Sequence, residues 1–453
     1  MLVTPQIIYR PGQIVVHHGR IIECTDRCSG RADLELPGKL LAPALINAHT
    51  HLEFSDLKNP LAAGDSFPQW IRAVVERRRV MTAQTANDAD FQRLRATNIR
   101  LGLDEAWRTG TALTADIVTR PWLPSYLATL NAPIDSDNYN NPNSVIFHAD
   151  TPPAEIAKHL ASGPEVIALA EILGLDESRF DESANWALQL VSDIESLQSY
   201  APEGQLNGEL RLRTGLSPHS PYSLNFNKLL SVLAANSREQ QLTAMHVAES
   251  LEEREWLEQG TGPFRSAFEL LGVSLTAPRP SILEVIEWLA TRSRSLLIHG
   301  NYLKEHEIER IARTPAMSIV YCPRTHQHFG HASYPLKRLL DAGIQVVLAT
   351  DSRASTPDLS LWSEVNAARA AHPWLSPEWL FEAVTTAAAK ALGVERDYGS
   401  LLPGSRAAIN VCDCLTETKT VDMVDELTTR INPFQPLIAI LGKSSASRRD
   451  AAT

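Results

Sequence analysis

The stretch Leu41-Ala-Pro-Ala-Leu-Ile-Asn-Ala-His-Thr-His51 joins an apolar, strand-like run to two histidines that lie two residues apart. Residues i and i+2 of an extended chain point to the same side, so His49 and His51 can reach one metal ion. Imidazole is a good ligand for zinc and for similar divalent ions. The stretch therefore predicts a strand that presents metal ligands at its carboxyl end, where barrels of parallel strands carry their active sites.

Seven further strand-like runs follow, and they alternate with stretches of helical pattern. This alternation is typical of repeated strand–helix units that build one parallel sheet. We therefore predict an α/β fold, a (β/α)8 TIM-type barrel. The predicted strands cover residues 41–48, 111–117, 166–172, 210–216, 242–247, 295–299, 318–322 and 345–350, with helices at 69–82, 281–291 and 335–342 among others.

The two ends of the chain differ from the middle, because they contain short β-branched runs separated by turn residues. They predict a small β-sheet domain formed by both chain ends, with strands at 6–9, 13–16, 21–24 and 407–412. The predicted division is 1–40 and 396–430 for the small domain, 41–395 for the barrel, and 431–453 for a partly disordered tail. A polar segment with a strand-like run at 144–149 predicts an insertion over 135–150.

Composition limits the classes of function that are open to this chain. Its 453 residues are 44% hydrophobic and 21% charged, as in a folded protein with a core of barrel size. The net charge of −11 argues against a nucleic-acid partner, which would require a basic face. A small-molecule substrate is therefore expected. The oligomeric state stays open, with a homodimer among the candidates.

Cysteine usage and the chain start indicate the compartment. The five cysteines are odd in number in a large chain, so a disulfide framework is not expected, and Cys412 and Cys414 are interpreted as alternate residues of a strand. The first residues lack an apolar run behind a basic start, which argues against a signal peptide. The longest near-apolar run, 40–46, is far shorter than the roughly 20 residues of a membrane span. These features predict a cytoplasmic protein outside the membrane.

Three other predicted strands end in residues that bind metals or transfer protons. The fifth strand leads to His246 and Glu249, the sixth to His299 and the eighth to Asp351. A single histidine or aspartate at a strand end is usually structural, often a helix cap. Four such strand ends at one barrel mouth instead predict a hydrolytic site, in which a metal activates water, a carboxylate moves its proton and a histidine stabilises the developing oxyanion.

These motifs resemble the amidohydrolase superfamily, and within it the branch of aromatic deaminases and chlorohydrolases. The matching pieces are Pro43-Ala-Leu-Ile-Asn-Ala-His-Thr-His51, Gly110-Thr-Ala-Leu-Thr-Ala-Asp116, Ser217-Pro-His-Ser-Pro-Tyr222, His246-Val-Ala-Glu-Ser250, Ile298-His-Gly300, Ala349-Thr-Asp-Ser352 and Gly399-Ser-Leu-Leu-Pro-Gly404. The resemblance implies one divalent metal per chain, Zn²⁺ with Fe²⁺ as the alternative, bound by His49, His51, His246 and Asp351. It also implies catalytic roles for Glu249 as proton shuttle, for His299 and for Asp351, and a substrate contact for His219.

The resemblance extends to a substrate class. His51-Leu-Glu-Phe-Ser55 and the following Trp70 resemble the aminodeoxyfutalosine deaminases, which act on a purine 6-amino group. This implies a hydrolytic deaminase of an amino-substituted heterocycle such as a purine nucleoside derivative. It also implies that Glu53 binds substrate, unless that carboxylate only caps a helix.

The segment after the seventh strand departs from the family pattern. Relatives commonly carry Pro-x-Ser-Asn there, whereas this chain has Pro323-Arg-Thr-His326, followed by His328 and His331. We predict that Arg324 and His326 contact an acidic or hydroxylated group of the substrate. The alternative is a surface loop with solvated histidines.

Other interpretations stay open on the sequence alone. The same site could act on another C–N or C–Cl bond, as a chlorohydrolase or cyclic amidine hydrolase. A non-catalytic barrel scaffold is the alternative from another class, and the complete set of site residues argues against it. Glu171 could bridge a second metal, but a carboxylate at a strand end more often binds substrate or caps a helix.

Overall fold

The computed structural model describes most of the barrel and parts of both chain ends. The described residues are 2, 3, 8, 9, 11–17, 19–27, 36–127 apart from 84 and 86, 164–199, 212–413 apart from 237, 239, 271, 274 and 276, and 433–436. Three predictions concern residues outside this set: the insertion over 135–150, the strand position of Cys414 and most of the tail. They remain predictions. No helix of the described part is both long and apolar enough to cross a bilayer.

The central feature is a sheet of eight parallel strands in sequential order, which confirms the predicted (β/α)8 TIM-type barrel. Observed strand ends differ from the predicted ones by at most two residues, apart from the first strand. The barrel strands are β6 (Leu45–Thr50), β7 (Thr111–Val118), β8 (Glu165–Ile172), β9 (Leu212–Pro218), β10 (Thr243–Val247), β11 (Ser295–His299), β12 (Met317–Tyr321) and β13 (Val346–Leu348).

The predicted strand 41–48 is wrong as a single strand, because the chain changes sheets in its middle. Its first half belongs to β5 (Lys39–Pro43) of the small sheet, and its second half begins β6. The N–H of Ala44 donates to the Ala408 carbonyl of the chain end, and the next N–H donates to Gly110 at the start of a barrel strand. The change of sheet therefore falls at Ala44, past the predicted boundary of 40/41, and the division into domains remains a prediction.

Both chain ends contribute to the small sheet, as predicted. Its order is β15 (Gln435–Pro436), β14 (Ile409–Asp413), β5, β1 (Leu2–Val3) and β2 (Ile8–Tyr9). A separate hairpin joins β3 (Gln13–His17) to β4 (Arg20–Thr25), so the early strands form two sheets where one was expected. Cys412 lies on β14, in agreement with its interpretation as a strand residue.

The helices surround the barrel and cover its outer face. One apolar cluster fills the barrel interior, with Ile46, Ile298 and Val347 among its members, and a larger one lies between strands and helices. The helices are α1 (Phe67–Ala83), α2 (Asp88–Arg108), α3 (Glu177–Ser199), α4 (Phe226–Ala235), α5 (Leu251–Gln259), α6 (Pro263–Leu270), α7 (Ile282–Leu289), α8 (Glu305–Ala312), α9 (Pro323–His328), α10 (Leu336–Asp341), α11 (Leu361–Ala371), α12 (Pro377–Glu382) and α13 (Thr386–Leu392).

The first and last barrel strands meet directly at the mouth. The N–H of Asp351 donates to the carbonyl of His49 at 3.2 Å. Below this contact, the side-chain amide of Asn47 donates to Thr350 Oγ1 at 2.8 Å and accepts from the Thr350 N–H at 3.2 Å. These bonds bring the two ends of the eight-stranded sheet together where the predicted ligands lie.

Candidate active site

Side chains from four strand ends meet in a buried cluster at the carboxyl end of the barrel. His51 Nε2 lies 3.4 Å from His246 Nε2 and 3.8 Å from Asp351 Oδ1, and His49 Nε2 lies 3.5 Å from that same carboxylate oxygen. Two ligands about 2.1 Å from a tetrahedral ion lie about 3.4 Å from each other. These separations therefore match the spacing of atoms that share one metal ion.

Unsatisfied nitrogens give a second test of whether a metal fits. Both ring nitrogens of His49 and Nδ1 of His51 are buried and have no hydrogen-bond partner among the described residues. Burial is the largest of the effects that lower the pKa values of His51 and His246, so both imidazoles are neutral and able to act as ligands. Buried polar atoms normally have a partner. A divalent ion bound here would supply a partner for histidine nitrogens that the described residues leave without one.

His246 is oriented by a residue of the neighbouring strand end. Its Nδ1–H donates to the carbonyl of His219 at 2.9 Å, which leaves Nε2 with a lone pair toward the cluster. Such a bond on the far ring nitrogen is the usual way in which a protein fixes the tautomer of a metal-binding histidine.

His299 belongs to the same cluster. One of its ring nitrogens lies within 4.8 Å of ligand atoms of His49 and His246, and its Nε2 lies 3.4 Å from Glu249 Oε1. Burial, followed by the nearby Asp351 and Glu253 carboxylates, raises the pKa of Glu249 well above its usual range. A carboxyl whose pKa is raised by burial and that lies beside the cluster is suited to general acid–base chemistry.

The backbone is strained at three of these strand ends. Ala248, His299 and Asp351 have φ values of 54°, 70° and 55°, in the left-handed region that residues other than glycine rarely adopt. Such conformations cost of order 1–3 kcal/mol each and persist only where surrounding contacts impose them.

Side-chain hydrogen bonds to the backbone impose that strain. Tyr334 Oη–H donates to the carbonyl of His299 at 2.7 Å, Thr50 Oγ1–H donates to that of Asp351 at 2.6 Å, and Asn301 Nδ2–H donates to that of Glu249 at 2.8 Å. The mouth of the barrel therefore fixes the backbone from which each functional side chain projects.

The two oxygens of Asp351 have separate environments. Oδ1 faces the histidines, whereas Oδ2 accepts hydrogen bonds from Ser355 Oγ at 2.8 Å and Thr325 Oγ1 at 3.1 Å. Burial would raise the pKa of this carboxyl, but the neighbouring His49 and His51 outweigh it and lower the pKa below its usual range. The carboxylate is therefore ionised and held with one oxygen available as a ligand.

His219 lies beside the cluster and presents one ring nitrogen away from its own hydrogen bond. Its Nδ1 is 2.7 Å from Ser223 Oγ, whose proton goes to the Ser220 carbonyl, so the imidazole is the donor in that contact. Burial lowers the pKa of His219 to about 3, so its Nε2 is an acceptor at neutral pH. This geometry is compatible with the predicted substrate contact.

Arg324, a predicted substrate contact, is paired with carboxylates of the protein. Its Nε–H and Nη1–H donate to Glu364 and Asp358 at 2.6 and 2.8 Å, and Nη2–H donates to the carbonyl of Asp358 at 2.8 Å. The guanidinium therefore joins α9 to α11 and to the turn before it. Its Nε–H, Nη1–H and Nη2–H groups already donate to the protein, although a substrate contact would need such donors. The segment itself is a short helix with Pro323 in its first turn, where a loop was predicted.

Glu53 is also committed to protein partners. It is 3% exposed, and its carboxylate oxygens accept from Arg78 at 2.6 Å and from Arg95 at 3.0 Å. It lies inside a short 3₁₀ turn (Leu52–Phe54) and joins that turn to α1 and α2. Its contacts therefore favour a structural role over the predicted direct contact with substrate.

His326 lies in a half-buried aromatic cluster rather than in a solvated loop. Its ring is 5.4 Å from that of His331 and 5.6 Å from that of Tyr334. The Nε2 atoms of His326 and His331 are buried and have no hydrogen-bond partner among the described residues. Tyr334, which packs against His326, also donates to the carbonyl of His299, so this cluster lies beside the strand end that carries His299.

Sequence reasoning missed the residues that hold the site together. Glu253, Ser355, Asn301 and Tyr334 contact backbone or carboxylate atoms of the predicted site residues, and none lies in the strand-end motifs. Only Glu253 had a signal, because Ser250-x-x-Glu253 is a capping-box pattern. That pattern explains the Ser250 cap of α5 but not the contact of the Glu253 carboxylate with the strand end.

A parallel barrel with histidine and carboxylate side chains gathered at the carboxyl ends of its strands defines a metal-dependent hydrolase. The chain belongs to the amidohydrolase family, whose sequence profile matches residues 40–438. Among sequence relatives, it is 27% identical over 340 residues to the aminodeoxyfutalosine deaminase of a Nitratiruptor species, across 74% of this chain and 68% of that one.

Solved structures share the fold at lower identity. The Helicobacter pylori aminofutalosine deaminase in complex with methylthio-coformycin superposes with a TM-score of 0.68 at 21% identity, over 93% of this chain and 92% of that one. The atrazine chlorohydrolase of Arthrobacter aurescens complexed with zinc superposes with a TM-score of 0.64 at 20% identity, over 96% and 94%. Family membership makes this chain a hydrolase, and the relatives supply candidates for its reaction.

Proposed function

We propose that this protein is a mononuclear zinc hydrolase that removes an amino group from a heterocycle, most specifically from a purine nucleoside derivative. The observation that carries the proposal is the 3.4–3.8 Å spacing among His51, His246 and Asp351, with Glu249 and His299 beside them. His49 would be the fourth ligand. Zinc is favoured over iron because the zinc-bound relative shares the fold and the donor set suits that ion.

The metal, when bound, would supply a Lewis acid that activates water for attack on the ring carbon. Glu249 would take a proton from that water and deliver it to the leaving amino group. Its burial keeps the proton on the carboxyl between the two transfers. His299 would donate a hydrogen bond to the oxygen that is added to the ring. Asp351 would be kept in its ligand orientation by the hydrogen bonds that its Oδ2 accepts from Thr325 and Ser355.

The assignment of a purine substrate rests on the relatives and on His219, whose Nε2 is available as a hydrogen-bond acceptor. The curated relative acts, by its name, on aminodeoxyfutalosine, and the superposed structure holds methylthio-coformycin. His219 Nε2 is an acceptor at neutral pH and lies beside the ligand cluster, where the exocyclic amino group of the substrate would meet it. His326 remains a candidate contact for a group carried by that ring.

A second candidate keeps the site and changes the leaving group to chloride. The superposed zinc-bound structure is that of an atrazine chlorohydrolase, so the fold alone is compatible with either reaction. The position of Glu249 beside the ligand cluster favours deamination, because a carboxyl there can hand the proton it takes from water to a leaving amino group, whereas chloride leaves without a proton.

The test is a product assay on purified, zinc-loaded protein. Aminodeoxyfutalosine, 5′-methylthioadenosine, adenosine and atrazine would be supplied separately, with ammonia and chloride measured in parallel. Ammonia from at least one purine nucleoside, absent in Glu249→Gln, is the expected result. Chloride release without ammonia would favour the second candidate, and neither product from any compound would overturn the purine assignment.

A further inference from the structure

A large cavity opens at the carboxyl ends of the second and third barrel strands. Its volume is about 880 Å³, and it is lined by Thr119 after β7, by Glu171 on β8 and by residues of α1, α2 and α3. Arg78 belongs to this wall and also to the ion pair with Glu53, two residues after the ligand His51. The cavity therefore lies next to the reaction centre, on the active-site face of the barrel.

Glu171 is the unusual group in this wall. Its side chain is 3% exposed, and no described residue donates a hydrogen bond to its carboxylate. By contrast, Glu53 uses both of its oxygens on Arg78 and Arg95. The oxygens of Glu171 are not among the fully buried unpaired atoms of the described residues, so they face the cavity, where a ligand can supply the donors that the protein does not.

Nothing in the described part of the chain supports a second metal at Glu171. The two groups of potential ligands among the described residues are His49, His246 and His299, and His49, His51 and Asp351, so neither includes Glu171. We therefore do not assign Glu171 the role of bridging a second metal, which the sequence left open.

The charges around Glu171 narrow the chemistry of the ligand. The cavity wall carries Arg78 and Arg95 on one side, so a cationic substituent would be repelled by two guanidinium groups. An anionic substituent placed at Glu171 would be repelled by that carboxylate itself. A neutral group with hydroxyl donors avoids both repulsions, and a carboxylate can accept from two hydroxyls at once.

We propose that Glu171 is a substrate-specificity residue that accepts hydrogen bonds from the neighbouring hydroxyls of a sugar, the part of a nucleoside that extends from the heterocycle into this cavity. The inference rests on the proposed function, because it assumes that the heterocycle occupies the metal site. It assigns the cavity to the sugar and leaves Glu53 as the support of the two arginines.

The experiment compares two substrates in zinc-loaded protein. Adenosine and 2′,3′-dideoxyadenosine differ only in the two hydroxyls, so wild-type kcat/KM should fall by about tenfold or more for the dideoxy compound. Glu171→Gln should lose a similar factor on adenosine and very little on the dideoxy compound. Zinc content of the variant should equal that of wild type, because Glu171 lies outside the ligand cluster.

Glu177→Gln is the matched control. It lies on α3, the helix that borders the cavity, but outside the cavity lining and with a side chain that is 82% exposed, so its kinetics should not change. Equal kcat/KM of wild type for both nucleosides would overturn the role of Glu171 even if Glu171→Gln failed to fold, while leaving the deaminase proposal in place. Absence of turnover on every purine nucleoside would overturn both.

Discussion

The carboxylate of Glu253 accepts a hydrogen bond from the backbone N–H of Glu249 at 2.7 Å, and a second one from the N–H of Ala248 at 3.1 Å. Ala248 is one of the three non-glycine residues with positive φ in the described part of the chain. Glu253, fully buried in the first turn of α5, therefore holds the strained turn from which the proposed proton shuttle projects. A contact of this kind acts on catalysis through geometry rather than through the substrate.

Replacing Glu253 by glutamine should lower kcat by about 10- to 100-fold, as is common for residues that orient a site. The amide keeps one acceptor oxygen but turns an N–H₂ toward the other backbone N–H. Zinc content and KM should stay close to wild type, which steady-state kinetics and metal analysis would check. Glu258→Gln, on the same helix but 38% exposed, is the control, and an equal loss of kcat there would contradict the positioning role.

The metal site should bind one zinc per chain, and its affinity should depend on how Asp351 is held. Asp351→Ala and His49→Ala should lose the metal, because each removes a proposed ligand. Ser355→Ala removes only a hydrogen bond to Oδ2, so zinc should bind about 10- to 100-fold more weakly. Competition with a chelator would measure this, with the exposed Ser231→Ala as control. Two full equivalents of metal in the native protein would contradict the mononuclear site.

Glu249→Gln should keep zinc and lose about 10³- to 10⁴-fold in kcat, because the amide has the same shape but cannot move a proton. His299 Nε2, 3.4 Å away, would keep a polar neighbour, so the fold should be retained. Thermal unfolding and metal content would confirm an intact site, and the exposed Glu309→Gln should behave as wild type. A variant with near-native turnover would show that Glu249 does not transfer the proton.

The sequence was sufficient to predict the barrel and the meeting of the strand-end residues, because both follow from short-range signals. Apolar runs mark the strands, and a parallel barrel brings all of their carboxyl ends to one mouth. The break at Ala44 was missed because the run 40–48 is apolar on both sides of it, and only the pairing of Ala44 with Ala408 divides it.

The protein partners of Arg324 and Glu53 could not be predicted from the sequence for a related reason. Both lie near the mouth, but their partners are Glu364, Asp358, Arg78 and Arg95, which are distant in the chain. A charged residue next to a site motif looks the same in sequence whether it faces the substrate or a buried counter-charge. Only the packing of helices against strands decides between the two.

Stability should depend on pH through Glu171. Burial raises its pKa to about 7 from 4.5; Arg78 and Arg95 lower it, and Glu53 raises it further. A carboxyl with a raised pKa in the folded state stabilises the fold below pH 4.5, and this contribution is lost as pH rises through about 7. Glu171→Gln should therefore gain about 3 kcal/mol relative to wild type between pH 4.5 and 8. Denaturant unfolding at several pH values would measure it, and a difference that does not change with pH would contradict the raised pKa.

The histidine cluster after the seventh barrel strand should set substrate affinity and leave the metal alone. His326 packs against Tyr321 and Tyr334 and belongs to neither described group of potential metal ligands, so His326→Ala should retain zinc in full. If it contacts a group that is bound equally in the ground and transition states, KM should rise while kcat stays near wild type. The measurement is steady-state kinetics on the nucleoside with the highest kcat/KM, with His306→Ala, 57% exposed on α8, as the matched control. Unchanged kinetics would leave His326 as a packing residue of α9, and loss of zinc would mean that the ligand set has been misassigned.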